Sequence, residues 1–228
     1  MIIDTDPFWH CVFDDFFIDP DAIANEFPSA DDPCWFRYNN PLEVKQTCND
    51  WHCFKPATYQ AFSHLLSHEF TETVIAMTGS VVSPDIGLHG GGLHQHKHGG
   101  KLNVHLDYNI HPKLNLQRRL NLIVYLTPGW KPEWGGHLGL YKDAQTLVKQ
   151  IEPRYNRAVL FDTRGSWHGL PEPITCPENV TRNSIAVYYL CEPTITDGRN
   201  RALFAPTKDQ LNDPAVSKLI SERAKIVN

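Results

Sequence analysis

Apolar positions follow two different rhythms along this chain, and the change falls near residue 80. Before it the spacing is helical. Asp19-Pro20-Asp21 opens a short helix carrying Ile23, Ala24 and Phe27 and closed by Pro28. Phe62, Leu65, Leu66, Phe70, Val74 and Ile75 recur at roughly 3.6-residue spacing, which predicts one longer helix over 57–77 with Gly79 as its stop. Residues 1–80 are therefore expected to be mainly helical and loop-like.

Residues 81–192 read differently. Short β-rich runs at 102–108, 120–127, 137–141, 158–161 and 184–190 alternate with turn signals at Pro112, Pro128-Gly129, Gly135-Gly136, Pro171 and Pro173. Many short strands of this kind predict a sandwich or jelly-roll core, mainly β, with the N-terminal helices packed outside it. Gly90-Gly91-Gly92 neither follows a strand nor opens a helix, so it does not signal a dinucleotide site. Residues 193–228 read as a polar tail ending in a helix from about Pro214. With 228 residues and 41% hydrophobic content, a single domain is expected.

Alternation in the run 102–108 points to chemistry. Asn103, His105 and Asp107 share one face, and Leu102, Val104 and Leu106 share the other. An aliphatic outer face puts three polar groups inside the barrel, which is costly unless they bind something; the alternative is a surface strand with those groups in water. His105-Leu106-Asp107 with a later His168 is an HxD…H order, and two imidazoles with one carboxylate suit non-haem Fe(II) while leaving coordination positions open. Arg182 opens another strand and shares its face with Ser184, a pair suited to gripping a carboxylate. Tyr125 shares a face with Asn121 and Ile123, and its phenol can donate to an anionic ligand. Taken singly, Arg182 fits a surface ion pair and Tyr125 a core aromatic.

Composition narrows the partners. A formal charge of −5 without a Lys/Arg cluster argues against nucleic acid. No run approaches the roughly 18 apolar residues of a membrane span. Cys11, Cys34, Cys48, Cys53, Cys176 and Cys191 form no CxxC pair and read as reduced, mostly buried thiols. The first residues lack a basic and then apolar leader, so cytoplasm is the expected compartment. The composition does not indicate an oligomeric state.

These residues bring a resemblance with them. GKLNVHLD at 100–107, LIVYLT at 122–127 with WGGHL at 134–138, IEPRYNR at 151–157 leading to Phe161, and His168 followed by RNSIAVY at 182–188 resemble the prolyl 4-hydroxylase-type branch of the Fe(II)/2-oxoglutarate-dependent oxygenases. The resemblance covers about half the chain. It implies a double-stranded β-helix (a cupin-like jelly roll), with His105, Asp107 and His168 as iron ligands. It also implies Arg182 and Tyr125 as contacts of the 2-oxoglutarate cosubstrate, with O2 as co-reactant and ascorbate as reductant. The reaction implied is hydroxylation of an unactivated C–H bond of a peptidyl or small-molecule substrate, with release of succinate and CO2. Related halogenases carry a small residue where Asp107 stands, so hydroxylation is the expected outcome. The family's chemistry needs no side-chain acid or base, and no separate catalytic residue is assigned. The segment between His168 and Arg182 is longer than in animal prolyl hydroxylases that act on proteins, which leaves the substrate open. A jelly-roll metalloenzyme without 2-oxoglutarate, or a non-catalytic module of the same fold, are the rival readings.

Two segments are expected to rim the site. His89, His94, His96 and His98 lie in the glycine-flanked tract 88–100 and read as a mobile loop at its mouth, a second metal site being the other option. Lys113, Gln117, Arg118 and Arg119 in 109–119 read as a second rim facing polar substrate, or as a solvated turn. Trp130 and Trp134 are expected to pack a turn.

Overall fold

In the computed structural model, which describes residues 1–194 and 198–225, strands appear from the first residues. β1 (Ile2–Asp4) and β2 (His10–Phe13) pair antiparallel. α1 (Pro20–Asn25) begins where Asp19 accepts the Ala22 amide and proline supplies the first turn. A hairpin of β3 (Phe36–Asn40) and β4 (Glu43–Cys48) follows. α2 (Pro56–Leu65) and α3 (His68–Thr78) divide the stretch expected to be one helix. The break is at Ser67, whose backbone is extended and whose hydroxyl accepts the Phe70 amide at 3.2 Å. Both helices bury side chains in the same core, so the apolar spacing runs through the break without revealing it. Gly79 ends α3 in the left-handed conformation, φ 65°.

The expectation of a mainly helical 1–80 is therefore corrected. β3 and β4 read FRYNN and EVKQTC, too polar to signal strands; β4 is ordered by pairing with β6 and β7 farther along the chain, and β3 by its hairpin with β4.

The rest is almost wholly β. It comprises β5 (Ser83–Pro84), β6 (Gly92–His96), β7 (Lys101–Leu102), β8 (His105–Leu106), β9 (Gln117–Tyr125), β10 (Leu138–Tyr141), β11 (Leu147–Ile151), β12 (Ala158–Asp162), β13 (Trp167–Gly169), β14 (Arg182–Cys191) and β15 (Leu203–Phe204), then α4 (Pro214–Ala224). The major sheet runs β1-β2-β12-β9-β14-β6-β4-β3, with β5 on β14 and β7 on β4; the minor sheet runs β11-β10-β13-β8-β15. Pairing among the described residues is antiparallel, the double-stranded β-helix expected. The run 102–108 is two short strands rather than one. The tail is more than a tail: β15 pairs with β8 beside His105, and α4 starts at Pro214. Residues 195–197 and 226–228 of it lie outside the described residues.

The major sheet has two unlike faces. Leu120, Leu122 and Val124 of β9 and Ile185, Val187 and Tyr189 of β14 pack outward against Phe62, Leu65 and Val74 of the helices. Each such side chain contributes about 1.5–3 kcal/mol when fully buried. The inner face meets Leu138, Leu140 and Ile151 of the minor sheet through Tyr125, Val159 and Phe161. Toward one end this inner face turns polar and opens into a cavity.

Candidate functional site

β8 and β13 pair so that His105 and His168 stand directly opposite each other. Their ring centroids are 4.3 Å apart. Asp107 follows two residues after His105, with its Oδ1 3.7 Å from His105 Nε2 and its Oδ2 3.9 Å from His168 Nε2. One ligand atom from each of the three residues lies within 4.8 Å of the others, and all three residues are buried. The imidazoles are oriented from behind. His105 Nδ1 lies 3.0 Å from the Asn103 carbonyl and His168 Nδ1 2.9 Å from that of Ser166. An N–H donated there leaves each Nε2 lone pair facing Asp107. Phe204 stacks on His105 and Phe161 packs edge-on against His168, fixing the ring planes.

Electrostatics favour the ligand forms. Burial, then neighbouring His105, depresses His168 to about 4, so its ring is neutral at physiological pH. Burial would raise the Asp107 carboxyl, but His105, with His168 and Arg118 nearby, holds it well below the usual carboxylate range. Asp107 Oδ2 is buried without a hydrogen-bond partner. Two free imidazole nitrogens and an orphaned carboxylate oxygen suit a divalent metal such as Fe(II).

The triad opens on a cavity of about 450 Å³. Its wall is built from alternate residues of four adjacent strands: Asn121 and Ile123 of β9, Arg182, Ser184 and Ala186 of β14, His94 and His96 of β6, and Glu43, Lys45 and Thr47 of β4. Arg182 is 5% exposed, and its Nε has no hydrogen-bond partner. Its guanidinium lies over the Tyr125 ring, 4.7 Å from the centroid, and the Tyr125 hydroxyl is also buried and unpartnered. A buried guanidinium nitrogen and a buried hydroxyl left unsatisfied beside a buried positive charge are costly unless an anion completes them. Gly136 makes room for this arginine: with φ +73°, a Cβ there would fall 2.8 Å from Arg182 Cδ.

Arg118 enters the same cavity by a different device. Strict alternation on β9 would send it outward with Leu120 and Leu122. The pairing with β14 slips between Tyr189 and Leu190, passing from Leu120 to Arg118, and this bulge turns Arg118 inward. Its guanidinium is sandwiched between the Tyr108 and Tyr188 rings, 3.4 Å from each centroid, with Nη1 3.5 Å from Asp107 Oδ1.

Residues 91–190 match the model of the 2OG-Fe(II) oxygenase superfamily. Over that segment, a little under half of its length, the chain is similar to this superfamily. It is 27% identical over 199 residues to the prolyl 3-hydroxylase OGFOD1 of Mus musculus, a match covering 83% of this chain and 34% of the relative. The chain thus spans about a third of the length of that curated relative. Two solved structures share the fold. The prolyl hydroxylase of Trichoplax adhaerens in complex with a hypoxia-inducible-factor peptide fragment has a TM-score of 0.56 at 15% identity, covering 79% of this chain and 83% of its own. A prolyl-4-hydroxylase of Pseudomonas putida has a TM-score of 0.56 at 18% identity, covering 80% and 92%.

In this double-stranded β-helix the five residues singled out from sequence converge: His105, Asp107 and His168 at the triad, Arg182 with Tyr125 along the neighbouring wall. The rims are corrected. The His-rich tract is not a mobile loop at its centre, because Gly92–His96 is a strand laddered between β14 and β4. His94 and His96 face the cavity, both kept neutral by burial, with Lys45 and Arg182 nearby. Only His98 of the four is largely exposed. Gln117 and Arg118 are buried rather than on a rim. Trp130 and Trp134 pack edge-to-face in a turn, as expected.

Proposed function

We propose that this chain is an Fe(II)- and 2-oxoglutarate-dependent dioxygenase that hydroxylates an unactivated C–H bond. The observation that carries the proposal is the pairing of a buried His-Asp-His triad with a buried Arg182–Tyr125 pair, whose Nε and hydroxyl lack a hydrogen-bond partner, beside the same cavity. His105, Asp107 and His168 would hold the metal on one side, leaving the cavity side for cosubstrate. Arg182 would bind the distal carboxylate of 2-oxoglutarate through charge-assisted hydrogen bonds, and Tyr125 would donate to it. When bound, the metal and cosubstrate supply the oxidising chemistry that converts C–H to C–OH with O2, releasing succinate and CO2. The protein's part is orientation and exclusion of water, so no side-chain acid or base is assigned.

A prolyl residue in a polypeptide is the substrate to test first, because prolyl hydroxylases recur among the relatives. Ascorbate is the reductant to include in the assay. Six free cysteines support a reducing compartment such as the cytoplasm.

Anaerobic addition of Fe(II) and 2-oxoglutarate should give a weak visible metal-to-ligand absorption, lost in His105→Ala and in Arg182→Ala. Wild-type protein that gives neither this band nor succinate in the presence of O2 would sink the reading.

A further inference from the structure

Cys34, Cys48 and Cys53 are far from the CxxC spacing of a metal site in sequence, yet the fold gathers them. Cys34 lies in the loop before β3, Cys48 ends β4, and Cys53 closes a 3-10 turn, Trp51–Cys53, in which the Asp50 carboxylate accepts the His52 amide. One sulfur from each lies within 4.8 Å of the other two. Cys48 is buried and the other two are half-buried, which leaves a way in from solvent. Asp32 stands beside the group, its Oδ1 accepting the Cys34 amide at 2.9 Å. Burial, with the neighbouring acidic and thiol groups, pushes Cys34 well above the usual thiol range and Cys53 up to about 11. Both of these thiols are therefore protonated at neutral pH in the metal-free chain.

Two geometries could use three such sulfurs. A disulfide joins only two and needs them at about 2 Å, leaving one thiol over. A tetrahedral zinc with Zn–S of about 2.3 Å sets sulfurs about 3.8 Å apart, within a rotamer adjustment of the spacing seen. Cys34 and Cys53 sit on a loop and a turn, where that adjustment meets little resistance. Thiolate ligands also select zinc over the harder ions that carboxylates and carbonyls prefer.

We propose that Cys34, Cys48 and Cys53 bind one Zn²⁺ as three thiolates, the fourth position being left to solvent. The ion would tie the β3–β4 hairpin, which carries the Lys45 and Thr47 wall of the cavity, to the turn leading into α2. Binding breaks three S–H bonds, forms three S–Zn bonds, and releases three protons to solvent.

The test uses the full chain, purified under reducing conditions and carrying His105→Ala and His168→Ala so that the triad cannot compete for metal. Co²⁺ serves as the spectroscopic probe. One equivalent should produce a thiolate-to-cobalt charge-transfer band, which imidazole and carboxylate ligands do not give. Proton release is measured in weak buffer as the cobalt binds, and Zn²⁺ should then displace the cobalt with no further release. Cys34→Ser and Cys53→Ser, each at a half-buried position, should abolish the band while their circular dichroism matches the parent. The proposal is overturned by absence of the band at one equivalent, by its survival in both variants, or by a disulfide among the three cysteines in the non-reduced protein.

Discussion

Arg182→Met separates binding from folding more sharply than any other change at this site. In the free chain the guanidinium is 5% exposed, its Nε has no hydrogen-bond partner, and its main contact is the Tyr125 ring. Burial has already lowered its affinity for a proton below the usual arginine value. Losing the ring contact costs about 0.5–2 kcal/mol. Removing a buried, unpaired charge returns several kcal/mol, by the logic that well-packed apolar replacements of buried ions are often neutral or stabilising by about 1–4 kcal/mol. The ligand-free variant should therefore melt at or above the wild-type temperature. Cosubstrate binding moves the other way. Truncating one partner of a buried charge pair costs about 2–5 kcal/mol. At 1.4 kcal/mol per decade this is roughly 30-fold to 4,000-fold weaker binding of 2-oxoglutarate. Differential scanning calorimetry with and without 2-oxoglutarate reads both effects, and succinate formation gives KM for the cosubstrate. Unchanged KM, or a ligand-free melting temperature several degrees below wild type, would refute the assignment of Arg182 as an unpaired anion receptor.

Tyr125→Phe should leave the ligand-free melting temperature unchanged or raise it, because the hydroxyl is buried without a partner, and should weaken 2-oxoglutarate binding by about 1.5–3 kcal/mol in titration calorimetry. Gly136→Ala forces a left-handed backbone on a side-chain residue at a cost of about 1–2 kcal/mol. Its Cβ would also press on Arg182, so 2-oxoglutarate affinity should fall while metal retention by the triad, measured by mass spectrometry, stays at one equivalent. Glu43 is 2% exposed and paired with Lys45 at 3.2 Å and with Arg223 of α4. Burial raises its carboxyl, but those two cations outweigh burial and leave it below the usual value of 4.5. A depressed folded value means the stabilisation is complete above pH 4.5 and fades as pH falls through that lower value. Glu43→Gln should accordingly cost about 1–3 kcal/mol at neutral pH. In melts taken at decreasing pH the gap to wild type should close.

What could be read along the chain and what could not divide by the range of the interactions involved. Alternation on 102–108 grouped Asn103, His105 and Asp107, and all three are buried, but only His105 and Asp107 face the cavity; Asn103, between the two short strands, bonds Ala205 and Gln210 instead. The triad was legible because period-two alternation is local and because ligand chemistry restricts residue types so tightly. Arg182 and Tyr125 were legible for the same reason, on strands long enough to show their phase. Arg118 was not: a bulge on β9 reverses its direction, and no residue type announces a bulge. The His-rich tract misled because its glycines signal a loop, whereas its order as β6 comes from ladder bonds to β4 and β14 on either side.

The sequence by itself determined the chemical inventory and its local direction: a mainly β core, two imidazoles and a carboxylate of metal-binding type, and a cation and phenol suited to an anion. Side-chain period and ligand preference carry that much, since both act over a few residues. The tertiary structure alone decided which distant groups meet. It set His105 opposite His168, turned Arg118 between two tyrosines, made β4 and β6 a wall of the cavity, and brought Cys34, Cys48 and Cys53 within reach of one ion. Those contacts depend on strand pairing between segments remote in the chain, where register is set by burial of whole faces rather than by any short pattern.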